Sequence, residues 1–363
     1  MIKIASLFCG CGGSDLGLLG GFTFLGKNYS KNDVEIVYAA DNDPKAVATY
    51  NENFKHKAVV QDVKKIVSKE IPDFDLIIGG FPCQSFSTVN PIKNPFDDRG
   101  QLYKEMARIV GEKQPKAFIA ENVKGMARLK KGAILKAVIE EFEKQGYVVN
   151  YTIVNAADYG VPQLRERVFI VGIRKDIKER FAFPIPIHSE GESTGLKPRV
   201  PLSAVIDDLV NVDKKYYFSK RAVEGMKRAK NNMKRGLAQN LSKPCLTVTS
   251  HLAKVSLNSR DPVLLVDSKQ ELYRRFTPLE AARIQSFPDS FKFAGSEGDA
   301  YRQIGNAIAP VMMWHVARQI VKLLNQTNNL NDDRHILKRE TKSDNVEDKG
   351  KEYPARNIRL QYT

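Results

Sequence analysis

Short apolar runs that end in a glycine loop or a carboxylate constrain this chain more than any other feature. Ile2–Phe8, Glu35–Ala40 and Ala58–Val60 each read as a strand. The first ends in Cys9-Gly10-Cys11-Gly12-Gly13-Ser14-Asp15-Leu16-Gly17, the second in Asp41-Asn42-Asp43-Pro44, the third in Gln61-Asp62-Val63. Glycines let the backbone approach a ligand and leave N–H groups free at the start of the next helix. A carboxylate at the end of the second strand suits ribose hydroxyls. Taken singly, a glycine loop is a weak signal and an Asp after a strand is often a helix cap. Asp43 is itself expected to cap a helix that opens at Pro44. The three ends in succession predict half of a doubly wound α/β sheet built around a nucleoside.

A fourth run, Phe74–Ile78, enters Gly79-Gly80-Phe81-Pro82-Cys83-Gln84-Ser85-Phe86-Ser87. This turn cannot continue a sheet, so Cys83 is expected at the carboxyl end of a strand, where open α/β sheets place their sites. A lone cysteine is more often a small core residue. Gln84, Ser85 and Ser87 are poor core neighbours, and a nucleophile is the better reading. Thr88–Gly100 reads as a loop that covers a site, and Leu102–Gln114 as a helix. A further strand, Ala117–Ala120, ends in Glu121-Asn122-Val123, a second carboxylate that could otherwise be a solvated turn residue.

Ala133–Gln145 is an amphipathic helix and Tyr147–Val154 a strand. In the strand-like stretch Gln163-Leu164-Arg165-Glu166-Arg167, the two arginines are two residues apart and share a face. They repel unless acceptors neutralise them; a phosphate or a base carbonyl would serve. Glu166 would point the other way. From about Lys175 to Lys269 periodicity weakens. Between Lys197 and Lys243 stand twelve Lys or Arg against four Asp or Glu, within a chain of net charge +15. That concentration points to a nucleic-acid contact region, with Ser219–Arg235 as a basic helix. Thr277-Pro278-Leu279-Glu280 has the pattern of a capping box. Tyr301–Ala307 leads into an apolar helix, Pro310–Leu324, and a charge-mixed tail without order is expected from Asn328. Cys9-Gly-Cys11 is too close for metal spacing and no His pair accompanies it, so no metal is expected. With no secretory leader and no apolar run of membrane length, the chain reads as cytosolic.

In this order the blocks resemble the DNA (cytosine-5)-methyltransferase family of bacterial restriction–modification type. Phe8–Gly13 is similar to its cofactor loop, Phe81-Pro82-Cys83-Gln84 to its nucleophile motif, and Glu121-Asn122-Val123 to its catalytic glutamate motif. Gln163–Arg167 is similar to its Gln-x-Arg-x-Arg motif, and Arg274–Arg283 and Gln303–Ala307 to its last two blocks. The resemblance spans residues 2 to about 324. It implies an S-adenosylmethionine-dependent, Rossmann-like α/β domain over 1–174 plus 270–327, with a smaller target-recognition domain over 175–269. Residues 328–363 form the uncovered tail. It further implies Cys83, Glu121, Arg165 and Arg167 as catalytic residues. The cofactor would meet Phe8, Gly10, Gly12, Gly13, Asp41, Asn42, Asp62, Pro82, Leu102 and Asn306. Double-stranded DNA would meet Gln84, Ser85, Ser87 and Thr247. Arg167 falls to the base O2, and Arg165 to a nearby phosphate or the same cluster. Asp41 stands where the family often has Glu. The protein would be a monomer in the bacterial cytoplasm or nucleoid, with a cognate restriction endonuclease as functional partner.

The implied chemistry suits these residue types. A thiolate adding at cytosine C6 makes C5 nucleophilic; the acid form of Glu121, favoured by burial, would stabilise the ring charge at N3. The target carbon lies inside the base stack, so the cytosine must be rotated out. Three rivals remain at this stage. A tRNA cytosine methyltransferase would share the scaffold. A nicotinamide-dependent oxidoreductase would explain the glycine loop but not Cys83 or the arginines. A non-catalytic DNA-binding module need keep none of Cys83, Glu121 and Arg167.

Overall fold

The structure is a computed structural model that describes residues 1–82, 101–191, 195–228, 238–254 and 262–343, the last sixteen as backbone alone. It divides into two compact units, Met1–Leu323 and Leu324–Thr363. In the first, seven strands make one sheet: β1 (Ile2–Leu7), β2 (Val34–Asp41), β3 (Val59–Val60), β4 (Leu76–Gly79), β5 (Ala117–Val123), β6 (Tyr147–Asn155) and β7 (Glu166–Arg174). Their order is β3-β2-β1-β4-β5-β7-β6. The first five run parallel. β7 is antiparallel to both its neighbours. Central parallel strands are covered on both faces, which is why β4 is buried throughout and β1 from Ile4 to Leu7, rather than alternating. Strand order reverses between β1 and β4, and a crevice opens there beyond the carboxyl ends.

The helices follow the expected punctuation. Gly13–Leu19 forms α1. Asp43 caps α2 (Pro44–Asn53), accepting from Lys45 N at 3.0 Å. α3 (Leu102–Lys113) and α4 (Ala133–Lys144) bury Met106, Ile109, Val110 and Ile134, Leu135, Val138, Phe142 in the main core. α5 (Lys220–Arg228) is the described part of the basic helix expected over 219–235; residues 229–237 lie outside the described residues. The hairpin Leu264–Asp267/Leu272–Arg274 straddles position 269. Thr277 and Glu280 make the capping box of α6 (Pro278–Ile284), and Glu280 also holds the buried Arg274 by two bonds of 2.8 and 2.7 Å. α7 is Glu297–Asn306. α8 runs Pro310–Ser343, correcting the expected end at Leu324. Neither Pro nor Gly occurs between Pro310 and Gly350, so no residue breaks the helix. Among the described residues no helix is long and apolar enough to cross a membrane.

Two polar knots position the crevice. In the first, the buried Asp15 carboxylate accepts from Ser6 Oγ (3.0 Å), Ser14 Oγ (2.9 Å) and Tyr50 Oη (3.1 Å), joining β1, α1 and α2 directly behind the glycine loop. The second lies at Arg165. The strand expected through Gln163–Arg167 is interrupted there: Arg165 N turns back to Gln163 O at 3.0 Å. Gln163–Leu164 instead pairs in parallel with Cys245–Leu246. Gln163 Oε1 accepts from Val248 N (3.0 Å), and Thr247 Oγ1 donates to Leu164 O (2.7 Å). Arg165 is 1% exposed. Its Nη1 donates to Val248 O (3.1 Å), and its Nη2 to Gly305 O and Ala307 O, both at 2.9 Å. Gly305 must be glycine, since a Cβ there would sit 2.2 Å from Thr249 C. One guanidinium thus closes three chain segments together.

Arg165→Met should leave the Val248 and Gly305 carbonyls without donors in the interior, Ala307 O keeping Gln285 Nε2, a loss of about 3 kcal/mol or more. A urea midpoint lowered at constant slope would record it; an unchanged midpoint would refute the knot's importance. Burial, opposed by its three hydroxyl donors, raises the Asp15 carboxyl to about 6. The folded state therefore binds this proton more tightly than the unfolded chain, at about 3.9. Its contribution is full below pH ~4 and is lost as pH rises through ~6, on the order of 2–3 kcal/mol. Asp15→Asn should flatten that slope in denaturation series at pH 4–7.

Candidate active site

A cleft of about 730 Å³ lies at the carboxyl ends of the parallel strands. Phe8, Gly10, Gly13, Asp41, Asn42, Asp62, Pro82, Leu102, Glu121, Arg165, Arg167 and Asn306 line it, so the structure gathers most of the residues singled out from the sequence. Gly12 and Thr247 do not line it. Gly12, at φ 92°, serves the turn, where a Cβ would strike the Phe54 ring. The Thr247 hydroxyl is engaged by Leu164 O. Cys83, Gln84, Ser85 and Ser87 lie outside the described residues, as does the loop expected over 88–100. A larger groove of about 820 Å³, walled by Phe22, Phe54 and Phe291, holds none of these residues.

At the glycine-loop side, Asp41 fastens two turns at once. Its Oδ2 accepts from Gly10 N and its Oδ1 from Asp43 N, each at 2.8 Å. Burial raises its pKa against the pull of these amides. Phe8 has a left-handed backbone, φ 53°, a conformation non-glycine residues adopt where surroundings enforce it. The Asp62 side chain caps the turn Val63–Lys65, accepting from Lys64 N at 3.0 Å, so the capping alternative holds for it as well. The sequence reading missed Arg302, which lines the same wall and pairs with Asp43 at 3.1 Å. Only the meeting of α2 with α7 reveals it.

At the opposite side, β5 runs three residues beyond its expected end because β7 pairs with it: Arg167 lies opposite Val123 and Phe169 opposite Glu121. Glu121 and Arg167 are therefore diagonal neighbours on one face, within reach of long side chains. Glu121 Oε1 meets Arg167 Nε at 3.0 Å, each side chain 12% exposed. Glu166 turns away to Lys124, as expected from strand alternation. Burial raises the Glu121 pKa, while the charges of Arg167 and Arg165 oppose the rise. Asn122 Nδ2 donates to Phe81 O at 3.0 Å, which ties the turn entering Cys83 to the same strand end. A Cβ at Gly80 would lie 3.4 Å from Glu121 Oε2.

Arg165, expected at a nearby phosphate or in the same cluster, gives both its terminal nitrogens to main-chain carbonyls, and burial and the Arg167 charge lower its pKa. It belongs to the cluster as a support. Cys9, Cys11 and Cys245 are buried and free. Burial pushes all three thiols up, Cys11 to about 12, away from thiolate chemistry. The cleft thus presents a buried acid, a guanidinium beside it and a glycine-rich wall.

Comparison with known proteins agrees with this arrangement. The family model for C-5 cytosine-specific DNA methylase matches residues 2–322. The chain is 36% identical over 340 residues to the type II methyltransferase M.FnuDI of Fusobacterium nucleatum, covering 89% of this chain and 95% of that one. It is 34% identical over 345 residues to the type II methyltransferase M.NgoPII of Neisseria gonorrhoeae, covering 89% and 96%. In fold it is similar to the Entamoeba histolytica methyltransferase EhMeth (TM-score 0.68, 17% identity, 89% and 99% covered). The S. pombe Dnmt2 methyltransferase is comparable (TM-score 0.65, 18% identity, 90% and 100% covered). The chain belongs to the C-5 cytosine-specific DNA methylase family.

Proposed function

We propose that this enzyme transfers a methyl group from S-adenosylmethionine to C5 of one cytosine in a short double-stranded DNA sequence, and so protects host DNA from a cognate restriction endonuclease. The carrying observation is the Glu121–Arg167 pair in the cleft, with the turn that enters Cys83 tied to the same strand end through Asn122. Cys83 adds to C6 of the flipped-out base; once C5 carries the methyl group, the C5 proton is lost to a base or water and the C6–sulfur bond breaks, which returns the thiolate. Glu121 in its acid form stabilises the charge at N3, a state its raised pKa favours. Arg167 donates to O2. Arg165 acts through the backbone it holds. Gln84, Ser85 and Ser87 meet the DNA beside the nucleophile, and Thr247 supports the target-recognition segment.

The cleft fits the cofactor. Its volume lies in the range of small-molecule sites, and the glycine loop, held to Asp41, offers backbone close to a ligand. Phe8, Gly10, Gly13, Asn42, Pro82, Leu102 and Asn306 would hold S-adenosylmethionine, with Asp41 at the ribose and Asp62 at the adenine amino group. Gly12 shapes the turn. The bound cofactor supplies an electrophilic methyl group. The catalytic domain comprises 1–174 plus 270–327, and 175–269, where the basic excess lies, reads the target sequence. The enzyme works as a monomer in the bacterial cytoplasm or nucleoid.

Tritiated S-adenosylmethionine, unmethylated bacterial DNA and, in parallel, tRNA test this reading. Label at cytosine C5 within one short DNA motif, absent with Cys83→Ala, is expected. Label on tRNA alone would replace DNA as substrate, and binding without label would leave only a DNA-binding module. Glu121→Gln should fold normally and lower the single-turnover rate by about 10²–10⁴-fold. A rate within about threefold of wild type would remove Glu121 from the chemistry.

A further inference from the structure

Between Glu121 and Glu140 the chain carries Lys124, Arg128, Lys130, Lys131 and Lys136, and no carboxylate. The segment leaves the carboxyl end of β5 and enters α4. Lys124 pairs with Glu166, and Lys136 lies 3.7 Å from Glu140 within α4. Arg128, Lys130 and Lys131 are all exposed.

A run of like charge most often only solvates a surface. Three observations separate this one from that case. First, the loop is anchored. Met126, Ile134 and Leu135 are buried in the main core and Leu129 packs against it, so the apolar members point in and the cations out. Second, Lys130 (φ 49°, ψ 41°) and Lys131 (φ 55°, ψ 34°) occupy successive left-handed conformations, a turn ordinarily built from Gly or Asn. Lysines at both positions place two charges where the backbone favours other residues. Third, β5 carries Glu121 and Val123 in the wall of the cleft, so the cations emerge within ten residues of Glu121 at the same end of the sheet.

We propose that Arg128, Lys130 and Lys131 form a second, sequence-independent contact with the phosphodiester backbone of the substrate duplex, on the catalytic side and separate from the basic segment 197–243. The inference rests on the DNA-modifying reading above. Phosphate contacts set register and orientation without reading bases, which is what a catalytic-side grip must do whatever the recognised sequence.

The test is a triple variant, Arg128→Gln, Lys130→Asn and Lys131→Asn. Asn accepts the left-handed backbone, so charge is removed with the turn retained. Equilibrium binding is measured against salt for duplexes of about thirty base pairs, with and without the methylated motif. Each phosphate contact contributes about 0.9 to the slope of log K on log salt, so the slope should flatten by about two to three. Both duplexes should lose affinity by the same factor, roughly tenfold or more at low salt. The charge-keeping Arg128→Lys, Lys130→Arg, Lys131→Arg variant should keep the wild-type slope. A slope changed by less than about one, or a loss confined to the duplex with the motif, would overturn the proposal. Wild-type methyl transfer to the same DNA is measured alongside. Its absence would undo the DNA reading itself, whereas transfer with an unaltered slope would undo this proposal alone.

Discussion

A guanidinium taken out of water must find acceptors, and Arg165 finds three carbonyls on two distant stretches of chain, one at Val248 and two at Gly305 and Ala307. A planar fork with fixed donor directions is suited to this; a flexible ammonium is not. The consequences spread outward. The strand breaks at Arg165, its first part pairs with Cys245–Leu246, and β7 then resumes beside β5. That resumption puts Arg167 against Glu121. The closeness of Gly305 to Thr249 shows how little slack the junction has. The geometry of the acid–guanidinium pair therefore depends on a residue that carries none of the proposed chemistry.

The electrostatics of the cleft are a balance between burial and nearby charge. Burial drives the Glu121 carboxyl towards its protonated form, and two arginines pull the other way. That balance is the one the proposed role of Glu121 towards a bound base requires. Asp41 is under the same pressure from burial, and its amide donors resist it. The three buried thiols stand on the unreactive side of the same rule. Membership of the C-5 cytosine methylases agrees with this division of labour: the family reaction needs a thiol, an acid and donors to a base oxygen at one place.

Much of the frame was legible because its signals are local. An apolar run followed by glycine or aspartate states where a strand ends, whatever lies elsewhere. So β1, β2 and β4 fall close to where the pattern places them, Asp43 caps α2, and Thr277 with Glu280 makes its box. The end of α8 was misplaced for a related reason: falling hydrophobicity marks where packing stops, whereas a stretch without Pro or Gly allows the backbone to stay helical past that point, here to Ser343.

The sequence by itself determined the strand ends, the caps and the set of residues that chemistry could use. It could not determine which of two arginines meets the Glu121 carboxylate. Both have the same spacing signal, yet Arg165 is consumed by carbonyls about 80 and 140 residues away in the chain, while Arg167 is left at the cleft. Nor could it extend β5 to Val123, which required an antiparallel partner from forty residues on. Side-chain type and period are properties of a segment. Which acceptor a buried donor reaches is a property of the packed whole, decided by which carbonyls the fold brings within hydrogen-bond reach of it.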